Sequence, residues 1–218
     1  MKVIVKYKKV NRLKYISHLD TIRLLQRAVR RAGVKVSYSQ GYNPHPKFSF
    51  AMPLSLGLET YGDYIEIEVE DGENPKTIKE RMNKILPEDF KIIEVKESVH
   101  DKTLAARLKN VIYKIDIQLD DGSREELDEI INKFFQEEQI VERIKIKKRR
   151  KKVKRFDGRK FIEKIEIIDF KDKSALLKVY GIFSNEGALK MEELVDVLKR
   201  LTLKIKDYKI VREDMIFE

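Results

Sequence analysis

The chain has 218 residues, of which 42% are hydrophobic and 39% are charged, and it contains no cysteine. This length suits two domains of about 100 residues each, and the absence of cysteine excludes disulfides, thiolate zinc sites, cysteine nucleophiles and cysteine-ligated iron–sulfur clusters within the chain. The formal net charge of +10 at pH 7 favours a polyanionic partner.

The first half of the chain alternates strand and helix signals. Apolar and polar residues alternate in the strands, and in the helices apolar residues recur at helical spacing. The first helix begins with Ser17-x-x-Asp20 and is followed by Gly33, and the second begins with Asn74 and Pro75, which are typical helix-start residues. The predicted strands are 3–9, 34–38, 47–52, 63–70 and 90–97, and the predicted helices are 17–32 and 75–86.

The second half repeats this order. Ser123 begins a helix whose apolar residues lie on one face, and a second helix follows near the C-terminus. The predicted strands are 110–119, 140–147, 161–170, 175–183 and 208–217, and the second helix spans 189–201.

The order of elements predicts an α+β fold made of two tandem ferredoxin-like halves (βαββαβ) with antiparallel sheets. We expect a first domain at 1–98, which holds the first helix and the GYNPHP loop, and a second domain at 109–218. The two halves share no sequence identity, so this prediction rests on the order of the elements.

The positive charge is concentrated in one segment. Residues 143–160, RIKIKKRRKKVKRFDGRK, contain twelve basic residues and one acidic residue, which leaves 35 basic and 36 acidic residues in the rest of the chain. Such a block is typical of a nucleic-acid-binding surface, although a solvated hairpin tip would have the same composition. The candidate contacts are Lys147, Lys148, Arg149, Arg150, Lys151, Lys152, Lys154 and Arg155.

The first predicted helix has a second basic surface. Arg23, Arg27 and Arg30 are spaced to form one stripe, and Arg31 lies beside it. Guanidinium groups bind phosphate through paired hydrogen bonds and stack on bases, which makes this face a candidate RNA contact. A solvated helix face is the alternative interpretation.

The stretch SQGYNPHPKFSF, residues 39–50, predicts a stiff loop. Gly41 permits a tight turn, and each proline restricts the residue before it to extended conformations. We expect the loop to display Tyr42 for stacking on a base, Asn43 for reading a base edge, and His45 with Lys47 for phosphate contact. The alternative is a loop that only covers a sheet edge.

Catalysis is a further hypothesis for the same region. His18, His45 and Tyr42 could form a metal-independent ribonuclease site if the loop lies over the start of the first helix. The sequence has no histidine pair at metal-binding spacing, no glycine-rich phosphate loop and no nucleophile elbow. We therefore expect no cofactor and no metal, and the lack of cysteine and of a clear catalytic constellation favours a binding protein over an enzyme.

The N-terminus gives no targeting signal. MKVIVKYKKV lacks the apolar core of a signal peptide, and no segment approaches the roughly 18 apolar residues of a membrane helix. We expect a cytoplasmic protein without membrane contact.

Several motifs together resemble one family. SHLD at 17–20, RAVRRAG at 27–33, NPHPK at 43–47 and PLSLG at 53–57 resemble the signature of the radical-SAM-associated family of uncharacterised bacterial proteins, whose members occur alone or at the C-terminus of radical SAM proteins. The segment KKRRKKVKRFDGRKFIEKI at 147–165 is similar to the basic strand of that family's second half.

The resemblance implies a partner. With no cysteine, this chain lacks the cluster motif of a radical SAM enzyme and looks like the free-standing associated module. We expect it to bind structured RNA, rRNA or tRNA, and to present it to a radical SAM type modification enzyme. The alternative is a module that docks such an enzyme without touching RNA.

A third possibility comes from topology. The tandem order is similar to that of the RNA-binding and RNA-cleaving proteins of CRISPR systems. Residues 200–218 contain no glycine, however, so the C-terminal glycine-rich loop of those proteins is missing.

Overall fold

The computed structural model describes residues 1–147, 150–184, 186–201 and 203–218, and for 145–147 and 150–152 it describes the backbone. The fold is mixed α+β, and its strands pair mostly antiparallel. The strands are β1 (Lys2–Lys9), β2 (Phe48–Phe50), β3 (Glu59–Glu68), β4 (Phe90–Glu97), β5 (Leu108–Leu119), β6 (Ile140–Lys147), β7 (Arg150–Asp157), β8 (Ile162–Lys171), β9 (Ser174–Ile182) and β10 (Ile205–Phe217). The α-helices are α1 (His18–Arg31), α2 (Pro75–Ile85), α3 (Leu104–Arg107), α4 (Arg124–Gln136) and α5 (Met191–Arg200).

The chain divides into two compact units. The first contains residues 1–109 together with 211–218, and the second contains residues 110–210. Strand β10 therefore begins in the second unit and ends in the first.

In the first unit, β1 is central and pairs antiparallel with β4 on one side and with β3 on the other. The other edge of β3 pairs antiparallel with β2 and, at the start of β3, in parallel with residues 211–212 of β10. Helices α1 and α2 pack their apolar faces on the buried side chains of these strands. The buried residues of the first unit include Val3, Val5, Leu25, Val29, Ile65, Ile67, Ile78, Met82 and Phe90.

Both helices begin where side chains cap the free backbone N–H groups. The Ser17 hydroxyl accepts a hydrogen bond from Asp20 N at the start of α1, and the Asn74 side chain accepts one from Lys76 N at the start of α2. Gly33 follows α1 with a φ of +62°, the left-handed conformation that favours glycine after a helix. These caps confirm the predicted starts and the predicted end of α1.

In the second unit, β9 pairs antiparallel with β5 and with β8. Helix α4 begins with a full capping box, in which Ser123 and Glu126 each bond the other's backbone N–H. The inward faces of α4 and α5 bury Leu127, Phe134, Leu194 and Leu198.

One predicted strand is not formed, and one observed strand was not predicted. Residues 34–38 form two isolated bridges, Val36 with Val69 and Tyr38 with Pro46, because the two residues pair with different segments and no ladder can extend. The predicted strand at 140–147 is confirmed as β6, but β7 was not predicted, and the two strands pair as a separate ribbon that contains most of the basic segment. Alternating residues predict a strand, but they do not identify its partner.

Candidate nucleic-acid interface and a buried charged cluster

The outer surface of α1 carries the predicted arginine face, which consists of Arg23, Arg27, Arg30 and Arg31. These arginines lie on the side of the helix away from the core of the first unit, where Leu25 and Val29 are buried. This arrangement follows from the helical period, which places the apolar residues inward.

The four arginines differ in what they contact. Arg23 forms an ion pair with Asp20 at 3.1 Å, one helical turn earlier. The guanidinium groups of Arg27, Arg30 and Arg31 make no hydrogen bond or ion pair with any residue that the structure describes. These three groups are therefore available to an external acceptor.

The loop enclosed by the bridge between Tyr38 and Pro46 is fixed at its base by one backbone and one side-chain hydrogen bond. Ser39 N donates to His45 O at 2.8 Å, and His45 N donates to the Ser39 hydroxyl at 3.0 Å. Gly41 has a φ of +131°, which a residue with a side chain rarely adopts. The loop is thus a closed turn fixed at its base.

The side chains of this loop point to solvent. Tyr42 is 100% exposed, and Asn43 and His45 are exposed beside it. Lys47 is held by an ion pair with Glu68 at 2.8 Å. Glu68 pairs with Lys47, and the predicted contacts Tyr42, Asn43 and His45 remain exposed to solvent.

The ribbon of β6 and β7 carries the basic segment. Its backbone register pairs Lys145 with Lys152 and Lys147 with Arg150. Lys148 and Arg149 lie outside the described residues, and the side chains of Lys147, Arg150, Lys151 and Lys152 lie outside the described side chains.

Ion pairs anchor the base of the ribbon, where the structure describes the side chains of residues 140–144 and 153–157. Arg143 binds Glu193 with two hydrogen bonds of 2.6 Å, and this hydrogen bonding raises the pKa of Arg143. Arg155 pairs with Glu142 at 2.7 Å, and Lys154 donates to Glu186 O at 3.3 Å while its side chain stays exposed. Part of the basic segment therefore stabilises the ribbon, which leaves Lys154 as an exposed cation near its base.

His18 does not join the loop histidine. Its ring packs edge-on against Phe50 at 4.8 Å between centroids, and within the described parts of the chain no hydrogen bond or ring contact joins it to Tyr42 or His45. Burial, and then the positive charge of Lys9, lower the pKa of His18. Lys9, and Asp63 whose charge opposes it at His18, belong to a different group of residues, described next.

A buried charged cluster, consisting of Tyr7, Lys9, Asp63 and Arg212, lies in the first unit. Arg212 is 1% exposed and donates to Asp63 Oδ1 at 2.9 Å, and the Tyr7 hydroxyl lies 3.3 Å from Asp63 Oδ2. Burial, followed by the nearby Asp63 carboxylate, raises the pKa of Tyr7 far above its ordinary value. Tyr7 therefore remains a protonated hydrogen-bond donor to Asp63.

Arg212 also holds the segment that follows β2. Its guanidinium donates to Met52 O at 3.4 Å and to Pro53 O at 3.2 Å. Pro53, the first residue of the PLSLG motif at 53–57, is therefore held by Arg212 through its backbone carbonyl.

Lys9 completes the cluster. It is 2% exposed, and burial lowers its pKa, an effect that nearby Asp63 opposes and Arg212 reinforces. No hydrogen bond or ion pair joins the Lys9 ammonium group to a described residue. A buried lysine without a bonded carboxylate is costly unless a ligand or loss of its proton compensates.

This cluster was not predicted from the sequence, although two of its members carry a signal there. Lys9 occupies the inward position of β1 after Val3, Val5 and Tyr7, and Asp63 precedes Ile65 and Ile67 at the same alternation. A charged residue at a core position of a strand is an unusual observation that could have identified both. Arg212 has no comparable signal.

Neither a metal site nor a membrane helix is found in the part of the chain that the structure describes. No three histidine or acidic side chains there are grouped as metal ligands, and no helix there is long and apolar enough to cross a membrane.

A family model described as "Uncharacterized protein conserved in bacteria (DUF2344)" matches residues 2–192. No curated protein matches the chain at a significant level.

Solved structures give a likeness of fold. A crystal structure of a Cbf5–Nop10–Gar1 complex contains a chain that is 8% identical, with a TM-score of 0.52, and the match covers 96% of this chain and 48% of the other. An archaeal box H/ACA sRNP Nop10–Cbf5 complex gives 9% identity and a TM-score of 0.48, with coverage of 96% and 47%. The chain therefore spans about half the length of the matched chain in each of these two complexes.

Proposed function

This chain belongs to the conserved bacterial family whose model it matches over residues 2–192, and from that premise we propose that it binds structured RNA as an accessory module of an RNA-modifying enzyme. The RNA would be a cytoplasmic rRNA or tRNA. The single observation that carries the proposal is the concentration of twelve basic residues in segment 143–160. The likeness to the Cbf5–Nop10–Gar1 complex is one of fold alone.

The basic ribbon supports sequence-independent affinity. Neutralisation of RNA phosphates by lysine and arginine releases bound counterions, which drives binding. The rest of the chain has nearly equal numbers of basic and acidic residues, 35 and 36, so it contributes little long-range attraction. Binding would therefore be centred on segment 143–160.

The arginine face and the loop support more selective contacts. The guanidinium groups of Arg27, Arg30 and Arg31 have no partner among the described residues, and phosphates or stacked bases are natural acceptors for them. Tyr42 is fully exposed on a loop with a fixed base. A rigid, exposed aromatic ring suits the stacking of an unpaired base.

The proposed enzyme partner is a radical SAM protein. The motifs SHLD and NPHPK carry the resemblance to the radical-SAM-associated family, and without cysteine the chain cannot ligate an iron–sulfur cluster through thiolates. We propose that each compact unit is a ferredoxin-like domain. The first would contribute the arginine face and loop 39–47, and the second would contribute the ribbon.

One observation favours docking of the protein partner itself. Ile144 and Val153 face each other across the ribbon, and both are exposed. An exposed apolar pair within a basic strand fits a protein surface better than it fits phosphates. Docking of a radical SAM protein through this face is the second candidate function.

We expect the affinity for structured RNA to fall linearly with salt on a logarithmic plot. If the ribbon contacts about six phosphates, the slope is about −4 to −5. Fluorescence anisotropy with a labelled tRNA at several salt concentrations measures this slope. An absence of binding at low salt would exclude the RNA proposal and leave docking as the remaining function.

A further inference from the structure

The first unit exposes three large apolar side chains on two segments of the chain, and we call this group the apolar patch. Tyr15 and Leu56 are each 67% exposed, and Leu19 is 62% exposed. Leu19 belongs to the SHLD motif at 17–20 and Leu56 to the PLSLG motif at 53–57. Single exposed apolar residues are ordinary on a protein surface, whereas a group of them is typical of an interaction site.

A backbone hydrogen bond joins the segments that carry Tyr15 and Leu56. Gly57 N donates to Lys14 O at 2.9 Å. Tyr15 follows Lys14 and Leu56 precedes Gly57, so each adjoins one end of this bond. The two apolar residues therefore have neighbouring backbones within the first unit.

Leu56 lies at the corner of a tight turn. Leu58 N donates to Ser55 O at 3.3 Å, which closes the turn, and Gly57 has a φ of +87°, as the third residue of a type II turn requires. Proline and small polar residues are usual at such corners, because they favour the turn geometry. The turn itself therefore does not account for an exposed leucine at this position.

The loop that carries Leu56 is fixed at both ends. Arg212 donates to Pro53 O at 3.2 Å at its start, and the bond from Gly57 to Lys14 holds its end. A partner that binds a fixed loop loses less conformational entropy than one that must order a mobile loop. The loop thus displays its leucine in a form suited to binding.

Leu19 extends the apolar patch onto α1. It comes four residues after Tyr15, so the two Cα atoms are at most about 14 Å apart. This distance is shorter than a helix of three turns, about 16 Å, so one helical segment of a partner can span it. By the helical period, Leu19 shares a stripe with Arg23 and Arg30, on the side of α1 away from buried Leu25.

The charges beside the apolar patch are mostly positive. Arg12 is exposed and forms no hydrogen bond or ion pair with a residue that the structure describes, and the arginine face of α1 follows the patch on its other side. Of the nearby acidic residues, Glu59 is buried, and Asp20 is paired with Arg23 at 3.1 Å. A complementary surface is therefore apolar and acidic.

We propose that the apolar patch docks an amphipathic segment of a protein partner, whose apolar side chains cover the patch and whose acidic side chains pair with Arg12 and Arg23. Leucine side chains neither bind phosphate nor offer an aromatic ring for stacking, so a protein segment fits the patch better than RNA does. The Lys14 ammonium group also lies over the Tyr15 ring, 5.2 Å from its centroid, where a base would stack. The proposal goes beyond RNA binding, because the patch itself contains none of the candidate RNA contacts.

The test measures binding of two labelled peptides to the full chain by fluorescence anisotropy. Each peptide has about 15 residues, or four helical turns, with leucines on one face. The opposite face carries glutamates in the acidic peptide and lysines in the basic peptide. We expect the acidic peptide to bind at least tenfold more tightly than the basic peptide, because the charges beside the patch attract one and repel the other.

Substitutions in the apolar patch should weaken binding of the acidic peptide. Leu19→Gln and Leu56→Ser should each cost about tenfold in affinity, the loss expected for a leucine that becomes partly buried on binding. Both variants should keep the wild-type melting temperature, because the two side chains are exposed in the free protein. Thermal unfolding measured by circular dichroism checks this.

The matched control is Val99→Ser. Val99 is 84% exposed in the same unit, between β4 and α3. This variant should bind the acidic peptide as the wild type does. The proposal is overturned if neither peptide binds, if the two bind equally, or if the double variant Leu19→Gln with Leu56→Ser keeps the wild-type affinity.

A second arm tests two other occupants of the apolar patch. We expect the full chain to stay monomeric in sedimentation experiments at increasing concentration, and we expect Leu56→Ser to bind labelled tRNA as the wild type does. Self-association that Leu56→Ser abolishes would assign the patch to a second copy of the chain and overturn the proposal. A loss of tRNA affinity in Leu56→Ser would assign the patch to RNA, with the same consequence. The peptide titration contains no RNA, so this proposal and the RNA-binding proposal can fail separately.

Discussion

Asp63→Asn is expected to lower the free energy of unfolding by about 3–5 kcal/mol, the cost of leaving a buried partner charge unpaired. Asp63 and Arg212 are 2% and 1% exposed, and their 2.9 Å bond is inside the first unit. The substitution removes the carboxylate charge but keeps nearly the same shape, so packing changes little. Urea denaturation monitored by circular dichroism gives the free energy.

The control for this prediction is Glu94→Gln, which removes a carboxylate from an exposed pair. Glu94 lies 3.0 Å from Lys96, and both side chains are largely open to solvent. The expected loss is about 0–1 kcal/mol. The account of the cluster is contradicted if Asp63→Asn costs no more than this control.

A double-mutant cycle separates the pair from its surroundings. In the Asp63→Asn background, Arg212→Met should cost less than it does in the wild type, because the unpaired charge has already been created. The expected coupling is about 1–3 kcal/mol. Strictly additive losses would mean that the two side chains act through other contacts, such as those of Arg212 with Met52 and Pro53.

Removal of three charges from the ribbon is expected to have the largest effect on RNA affinity. The substitutions Lys147→Gln, Lys151→Gln and Lys152→Gln should reduce the magnitude of the logarithmic salt slope by about 2–3, since each phosphate that a lysine no longer neutralises accounts for about 0.7–0.9. The physical reason is that fewer counterions are released on binding. Anisotropy titrations with the same labelled tRNA measure the change.

The matched control is a triple variant of α2 that loses the same net charge as the triple variant of the ribbon. Lys76→Gln, Lys79→Gln and Lys84→Gln neutralise three exposed lysines of α2. Their slope should stay close to the wild-type value, because the proposed contacts lie elsewhere. Equal slopes for the two triple variants would show that binding follows net charge and not segment 143–160.

Local signals in the sequence predicted the elements well. The Ser17 and Gly33 signals placed α1 correctly, and the capping box at Ser123 placed the start of α4. These predictions succeeded because a cap depends on a few neighbouring residues.

Predictions that depend on distant partners were less complete. The alternation of IVERIKIK predicted β6, but nothing local indicated that it pairs with β7 in a separate ribbon. The strand predicted at 34–38 is reduced to bridges for a similar reason, because pairing partners are set by the whole fold.

The candidate site was likewise predicted only where its residues depend on their near neighbours in the sequence. The solvent-facing position of Arg27 and the exposure of Tyr42 follow from helical period and loop composition, and the structure agrees with both. The cluster of Lys9, Asp63 and Arg212 joins residues that are up to 203 positions apart along the numbering of the chain, from 9 to 212. Contacts between residues so far apart in the sequence are known only from the fold. The inward positions of Lys9 and Asp63 could nevertheless be predicted from the alternation of their strands.

RNA binding through the basic segment is the central claim, and ultraviolet crosslinking of the intact chain to bound tRNA, followed by mapping of the crosslinked peptides, tests it most directly. We expect crosslinks in segment 143–160 and in loop 39–47, with Tyr42 as a main attachment point because its exposed ring can stack on a base. Crosslinks confined to α2 and β4, with none in either segment, would contradict the account.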